Sequence, residues 1–544
     1  MARRPPLGAG PDAGPDAGPD AGPEIEALAA QAATVDEVAS AVSSTSSSAS
    51  STRGHASPGE ALRAPERIQL LALSAALLAV RAASMLVVSQ PGYTDAYYYA
   101  LVAERVALGQ GLTADFVWNF LEAPGFAELP VASHRFWMPL STLIQAVGIR
   151  LVGGITGPFA AGQLAIVAVA AAIPPLGYAA GRSLGATHRR ALVAGVFTGL
   201  GGLFAPAWVS ADSFAPAAVL GTAFFLAYRK AAAGDVRAGA VAGLLVGLLY
   251  LARAEGALFG LALLALRTRA GLTGAGVALA VGLAWQLRQV SLGYPADLLA
   301  RSVLLIRYED FFRIAPPTVE AYLAAWPEAL RAKGEALITN AVTFAFAFAL
   351  FLLPGLAVAA RRFRGRAEVR AWAALAGLVL LAQSLVWTLH STRGSYFHSL
   401  AAFLPFGIAL AVAGSTRWSA RPVAGAALAG MAALSVFALV QWDDSFNTTF
   451  QRRSVAAGAL PAGRVLAIDA AAWRWISGRE TIVTPADGLA AAACDLRRLD
   501  PRVIVLEPAH FSAYDDLYRA GSARAEHEGI RVFDHRSRCE VAAR

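Results

Sequence analysis

One aspartate lies at a position where it could act as a general base at a membrane surface. Asp95 follows the first long apolar run, residues 68–90, and lies in the segment Gly92–Tyr99, which ends in three consecutive tyrosines. Tyrosines collect where a membrane meets water, so a carboxylate beside them could take a proton from a hydroxyl group at that surface. The alternative is that Asp95 only caps the helix that follows it.

Basic side chains stand at the ends of several other apolar runs. Arg288 and Arg393 each occupy such an end, where a guanidinium group could bind phosphate oxygens in pairs. The alternative for both is contact with lipid headgroups. His134 and Arg135 precede an aromatic segment. His390 lies three residues before Arg393, on the same helix face, and either hydrogen-bonds substrate or lies at the interface.

Four further polar residues lie at or within apolar runs. Arg253 and Glu255 are two residues apart, so they can pair at a turn; a structural ion pair is the first interpretation and substrate binding the second. Asp212 is a candidate second acid, although capping of a helix from Ser213 is simpler. Arg81 lies along the first predicted crossing and should face the protein interior or a water-filled cavity.

The composition shows which elements must position these residues. The chain has 544 residues, 56% of them hydrophobic and 15% charged, with a mean hydropathy of +0.50, whereas soluble domains are about 25% charged. Lipid must therefore be the solvent for most of the chain. The net charge of +8 comes from short arginine clusters between apolar runs, which indicates membrane topology and not a nucleic-acid partner.

Twelve apolar runs can be read along the chain. They lie at residues 68–90, 138–153, 157–181, 190–208, 213–228, 238–251, 255–266, 271–287, 336–360, 371–389, 397–414 and 422–440. If the arginine clusters near residues 63–67, 182–190, 229–237, 267–269, 361–370 and 417–421 are all cytoplasmic, the runs alternate correctly provided that 138–153 does not cross. The sequence thus predicts about eleven spanning helices and one half-membrane helix, with the N-terminus cytoplasmic in the cytoplasmic membrane.

Residues 1–62 and 442–544 differ from the membrane part, 63–441. The first segment holds a PDAG repeat and a serine-rich stretch, which predict a disordered cytoplasmic tail. The last alternates short β-rich stretches (464–468, 481–484, 502–506 and 530–533) with helical ones, which predicts a small extracytoplasmic α/β domain with a mostly parallel sheet. Its cysteines, Cys494 and Cys539, could form a disulfide or stay unpaired. The long outer loops are predicted at 91–137 and 288–335.

Several segments, in this order, resemble the GT-C superfamily of membrane glycosyltransferases, in the bacterial branch related to protein O-mannosyltransferases and lipid A aminoarabinose transferases. They are Asp95 with Tyr97–Tyr99 and Gly109-Gln110-Gly111, Phe136–Leu140, Leu251–Gly256, Ala284–Gln289 with Gly293 and Pro295, and Arg393–Phe397 with Leu404-Pro405. The resemblance covers residues 70–414.

The resemblance implies a donor and roles for these residues. The donor would be a polyprenyl-phosphate sugar, Asp95 the base that deprotonates an acceptor hydroxyl of a glycan, lipid or protein, and the basic residues the phosphate ligands. The implied substrate-binding set is His134, Arg135, Arg253, Glu255, Arg288, His390, Arg393 and Tyr396. No metal or other cofactor is expected, because Ala96 follows Asp95 where metal-dependent members carry paired acids. Two rival interpretations are a transporter or flippase, and a catalytically silent scaffold.

Overall fold

The computed structural model describes residues 63–121, 128–293, 298–315 and 317–536. The predicted tail at 1–62 lies outside the described residues. The first half of the helices comprises α1 (Ala64–Val87), α2 (Thr94–Ala107), α3 (Leu140–Thr156), α4 (Pro158–Ala170), α5 (Ile173–Ser183), α6 (His188–Leu200), α7 (Phe214–Ala232), α8 (Val236–Ala252), α9 (Phe259–Ala265), α10 (Arg269–Ser291) and α11 (Leu298–Val303). The second half comprises α12 (Val319–Ala324), α13 (Trp326–Ala347), α14 (Leu353–Arg362), α15 (Ala367–Leu385), α16 (Thr388–His390), α17 (Tyr396–Leu400), α18 (Leu404–Gly414), α19 (Arg421–Trp442), α20 (Thr448–Ala457), α21 (Ala470–Ser477), α22 (Gly488–Leu499) and α23 (Asp515–Arg519).

Within the described residues, five helical segments are long and apolar enough to cross a membrane, or six if a pair bent by 59° forms one span. They are Ala64–Val87, Pro158–Ser183, Arg269–Ser291, Ala367–Leu385 and Arg421–Ala457, with the bent pair Thr388–Leu400 and Leu404–Gly414. Leu140–Thr156, which covers most of the run predicted not to cross, is among the shorter apolar helices. The chain is a polytopic integral membrane protein, and the figure of about eleven crossings stays a prediction.

Small residues let the membrane helices pack closely. At Gly243 of α8, a Cβ atom would lie 2.0 Å from the carbonyl oxygen of Gly274 in α10, and at Gly239 one would lie 2.2 Å from that of Ala270. Only glycine fits at these contacts. In lipid the hydrophobic effect does not drive helices together, so their association depends on van der Waals packing, which this close approach of the backbones increases.

The described residues also form eight short strands: β1 (Thr113–Ala114), β2 (Phe116–Val117), β3 (Val131–Ala132), β4 (Arg464–Ala467), β5 (Thr481–Val483), β6 (Pro501–Leu506), β7 (Ala525–His527) and β8 (Ile530–Asp534). Six of them form a sheet in the order β2-β5-β4-β6-β8-β7, and β1 pairs with β3. The strands β2, β5, β4 and β6 run parallel to one another. Strand β8 pairs antiparallel with β6, and β7 pairs antiparallel with β8. The four strands predicted after residue 442 lie at their predicted positions.

One edge of this sheet comes from the loop at 91–137. Phe116 and Val117 of β2 pair with Thr481 and Ile482 of β5, so the sheet does not belong to residues 442–544 alone. Cys494, on α22, is disulfide-bonded, and Cys539 lies outside the described residues. The sheet therefore sits directly against the segment that carries Asp95.

Candidate active site

The turn between α1 and α2 sets the direction in which α2 begins. Gly92 has φ +94°, and a Cβ atom there would lie 2.6 Å from the Trp442 ring, so glycine is required. Tyr93 then adopts an extended backbone as the N-cap, and its side chain makes no capping bond. Asp95 lies in the first turn of α2, where the helix dipole stabilises a negative charge.

Three side chains from distant parts of the chain meet at this turn. His398 Nε2, on α17, lies 2.9 Å from Asp212 Oδ2 and 4.0 Å from Asp95 Oδ2. The Tyr93 hydroxyl donates to the same Asp212 oxygen at 2.7 Å, and the Ser213 amide donates to the other oxygen. The side chain of Asp95 is 26% exposed and that of Asp212 is 0% exposed. Only Asp95 of this pair is therefore accessible to a substrate.

The hydrogen bonds of His398 define its protonation. Its Nδ1 lies 2.9 Å from the Gly394 carbonyl oxygen and its Nε2 2.9 Å from the Asp212 carboxylate. Both neighbours are acceptors, so the doubly protonated ring satisfies both contacts. The site then holds one imidazolium between two carboxylates.

The pKa values of two residues at this site, Asp212 and Tyr99, are shifted. Burial raises the pKa of Asp212, but the charge and hydrogen bond of His398 and the hydrogen bonds from Tyr93 and Ser213 outweigh burial and lower it below its ordinary value. Burial, followed by the charges of Asp212 and Asp95, raises the pKa of the Tyr99 phenol well above its ordinary value. Asp212 therefore stays ionised and Tyr99 stays neutral at physiological pH.

The same three residues are the candidate ligands for a divalent cation. One ligand atom each from Asp95, Asp212 and His398 lies within 4.8 Å of the others, and carboxylate and imidazole groups are common metal ligands. The fit is incomplete, because His398 would have to give up the proton that it donates to Asp212. The expectation of no metal stays a prediction.

Arg253 and Glu255 form a second cluster beside the first. Arg253 donates to Glu255 Oε1 at 2.9 Å, so the predicted ion pair is present. The same Glu255 oxygen accepts from Gln383 of α15 at 2.7 Å and from Ser399 of α17 at 2.7 Å. Arg253 also donates to the Ser395 hydroxyl at 3.0 Å. Because Ser399 is adjacent to His398, α17 joins the two clusters.

The helix before α17 is broken, and two predicted residues, Arg393 and His390, lie at this break. The helix is kinked at Ser391–Ser395, because the backbone of Arg393 and of Gly394, which has φ 98°, leaves the helical conformation. The Arg393 guanidinium lies over the Tyr308 ring, 4.3 Å from its centre. His390 stacks on Phe136 at 5.6 Å, and neither of its buried ring nitrogens has a hydrogen-bond partner among the described residues.

His134, Arg135 and Arg288 lie together at the C-terminal end of α10. The His134 amide donates to the Tyr98 hydroxyl at 2.6 Å, and Arg288 donates to the Ser133 carbonyl at 3.1 Å. Arg135 donates to the Leu292 carbonyl at 3.1 Å. His134 is fully buried, and burial lowers its pKa to about 3. Its predicted contact with substrate stays a prediction.

The structure thus brings Asp95, Arg253 and Glu255 together around α17, whereas His134, Arg135 and Arg288 lie at the end of α10. Tyr396, the first residue of α17, is buried in the hydrophobic core of the protein. His398 and Gln383 were missed by the sequence analysis, and Asp212 was considered but left out of the predicted site. The available signal was a histidine inside an apolar run, five residues after Arg393, since titratable groups in membrane segments are usually functional.

No protein-family model and no curated protein matches the sequence. Solved structures do resemble it. ArnT from Cupriavidus metallidurans in the apo state gives a TM-score of 0.53 at 14% identity, covering 87% of this chain and 98% of that one. The same protein bound to undecaprenyl phosphate gives 0.42 at 15% identity, covering 86% and 98%.

A second solved protein gives a similar alignment. The archaeal oligosaccharyltransferase AglB from Archaeoglobus fulgidus, in complex with an inhibitory peptide and a dolichol-phosphate, gives a TM-score of 0.48 at 14% identity, covering 81% of this chain and 70% of that one. The apo ArnT structure shows that this chain shares its fold, and the GT-C resemblance predicted from the sequence is confirmed at the level of fold.

Proposed function

We propose that this protein is a membrane glycosyltransferase that moves a sugar from a polyprenyl-phosphate donor to an acceptor hydroxyl group. The main support is the position of one accessible carboxylate, that of Asp95 at the start of α2, beside the buried His398–Asp212 pair. The fold shared with ArnT and the resembling sequence segments support the same assignment.

In the proposed reaction, Asp95 accepts the proton of the acceptor hydroxyl as its oxygen attacks the anomeric carbon. The bond between that carbon and the phosphate oxygen breaks, and the polyprenyl phosphate leaves with the electron pair. The proton passes from Asp95 to bulk water after release. No step requires a metal ion.

His398 acts as a positioning residue in this scheme. Two carboxylates as close as Asp95 and Asp212 repel each other, and an imidazolium between them offsets that repulsion. It thereby keeps Asp95 ionised and oriented toward the substrate. Asp212 and Tyr93 hold the ring, since both contact it or its partner from fixed backbone positions.

The leaving phosphate needs cations, and the proposal assigns them to Arg288 and Arg393. Both lie at helix ends beside aromatic rings, Arg288 4.8 Å from the centre of the Trp285 ring and Arg393 over Tyr308. A guanidinium stacked on a ring keeps its edge directed outward for bidentate contacts. Arg253 is assigned to the structure instead, because Glu255 already neutralises it.

The test is donor turnover by the full chain reconstituted in liposomes. A panel of radiolabelled undecaprenyl-phosphate sugars, offered with membrane extract as acceptor, should yield free undecaprenyl phosphate from at least one donor. A chelator should leave that rate unchanged, and loss of turnover restored by a divalent cation would contradict the metal-free scheme. Transport of intact donor without cleavage would support the transporter or flippase instead.

A further inference from the structure

A cavity of about 220 Å³ lies between α1, α6 and α19, and none of the candidate active-site residues lines it. Its wall includes Val80, Arg81, Leu200, Trp208, Val436 and Leu439. Val80 is 45% and Val436 is 60% exposed. Both lie on helices long and apolar enough to span a membrane, so the cavity opens toward lipid.

Arg81 is the charged side chain of this wall, and it is 3% exposed. Its guanidinium donates to the Ala170 and Gly199 carbonyls, but its buried Nε has no hydrogen-bond partner among the described residues. Within the part of the chain that the structure describes, Arg81 forms no ion pair. A lone cation among apolar walls is costly in a membrane and usually marks a binding function.

We propose that this cavity binds an anionic glycerophospholipid, with its phosphate on Arg81 and part of an acyl chain against the aliphatic wall. Guanidinium groups suit phosphate oxygens through charge-assisted hydrogen bonds. Leu200, Val436 and Leu439 supply the apolar surface for the chain. The lipid enters sideways from the bilayer between α1 and α19, where the exposed valines stand.

The depth of Arg81 agrees with a phosphate ligand. Arg81 lies six residues before the end of α1 at Val87, which is about 9 Å along the helix axis. Half of the hydrocarbon core is about 15 Å thick, so the guanidinium lies between the midplane and the surface. A headgroup drawn slightly inward reaches it, as local thinning of the bilayer around buried arginines allows.

The site is distinct from the catalytic cluster but contacts the segment that leads to it. Trp208 lines the cavity, and its indole N–H donates to the Thr198 carbonyl at 3.2 Å. Asp212 follows four residues later, before α7 begins. A bound lipid therefore packs against the segment that holds Asp212, and it does so whether or not the proposed glycosyl transfer is correct.

The test counts lipids that remain on the full chain. The protein is placed in phosphatidylcholine nanodiscs that contain either phosphatidylglycerol or undecaprenyl phosphate, and native mass spectrometry measures the lipid retained after release. Wild type should retain one phosphatidylglycerol. Arg81→Gln should retain at least about tenfold less, since a charge-assisted hydrogen bond contributes on that scale.

Two cavity variants keep the test independent of the folding of Arg81→Gln. Ala432→Phe fills the cavity and should also lose the lipid, whereas Ala433→Phe, on an exposed neighbouring position of α19 that does not line the cavity, should retain it. The proposal is overturned if wild type retains no phosphatidylglycerol, if Arg81→Gln and Ala432→Phe retain it like wild type, or if only undecaprenyl phosphate is retained.

Discussion

Asp95 and Asp212 have the same side chain but different environments, and the difference assigns their roles. Asp212 is fully buried and accepts hydrogen bonds from His398, Tyr93 and Ser213, so its oxygens are already occupied. Asp95 is partly exposed, and its Oδ2 lies 4.0 Å from His398 Nε2, compared with 2.9 Å for the Asp212 oxygen. A buried, fully bonded carboxylate orients its neighbours, while an accessible one can exchange a proton with substrate.

His398 is the residue whose removal should disturb Asp95 without touching substrate. His398→Gln removes the cation between two carboxylates, so kcat should fall roughly tenfold to a hundredfold with KM little changed. The acidic limb of the pH–rate profile should move to higher pH, because the carboxylates then repel each other. His527→Gln, on the edge strand β7, is the control and should behave as wild type. An unshifted pH profile in His398→Gln would count against the positioning role.

His134 predicts a pH dependence of stability. Its folded-state pKa is lowered from 6.5 to about 3, so below pH 6.5 the unfolded chain binds a proton that the folded chain does not. Stability therefore falls as pH falls, by about 1.4 kcal/mol per pH unit from this residue. His134→Asn suits the positive φ at this position and should remove that slope. Thermal melting in detergent at pH 7.5 and 5.5 should show a larger loss for wild type; equal losses would contradict the assignment.

At the scale of elements, the β-sheet and α2 form one unit. Thr94, next to Asp95, donates to Asp469 Oδ1 at 3.1 Å, and Asp469 caps α21. Arg453 of α20 pairs with Asp469 at 2.8 Å and with Glu507 at 3.1 Å. The contacts connect the start of α2 to two strand ends of the sheet. Displacement of the sheet should therefore displace Asp95.

Two adjacent arginines test this coupling. Arg453→Met leaves two largely buried carboxylates without their cation, which typically costs 3–5 kcal/mol, so melting temperature and donor turnover should both fall. Arg452→Met breaks an exposed pair with Glu528, worth about 1 kcal/mol or less, and should change neither by much. The coupling is wrong if Arg453→Met lowers stability while turnover per folded molecule is unchanged.

The sequence predicted the elements better than their partners. The strands after residue 442 were predictable because short β-rich stretches alternate with helical ones. β2 was not, because a strand of two residues is too short to show a period, and only the parallel pairing with Thr481 and Ile482 defines it. Asp95 was predictable from its place after the first apolar run. His398 was not, because its contact with Asp212 spans 186 residues of sequence.

At the scale of the whole molecule, the account requires the catalytic residues on one side of the membrane. Asp95 and Arg393 both lie near the β-sheet side of the helices, because α2 contacts the sheet through Asp469 and Arg393 contacts Tyr308 in the second long loop. The arginine clusters predict that this side is extracytoplasmic. The loop between α7 and α8 should face the cytoplasm.

Cysteine labelling in intact cells measures this sidedness. A membrane-impermeant maleimide should label Asp95→Cys and Arg393→Cys without permeabilisation, and Arg237→Cys, beside the predicted cytoplasmic loop, only after it. Cys494 is already in a disulfide and should not react. Labelling of positions 95 and 393 from opposite sides would separate the proposed base from its phosphate ligands and end the proposal.

The most direct test of the central claim compares two acids on the same helix. Asp95→Asn should leave a folded, membrane-inserted protein whose release of undecaprenyl phosphate from the donor sugar is about 10²–10⁴-fold slower, as expected for loss of a general base. Glu104→Gln, also on α2, should release it at the wild-type rate. Release by Asp95→Asn at the wild-type rate would contradict the assignment of Asp95 as the catalytic base.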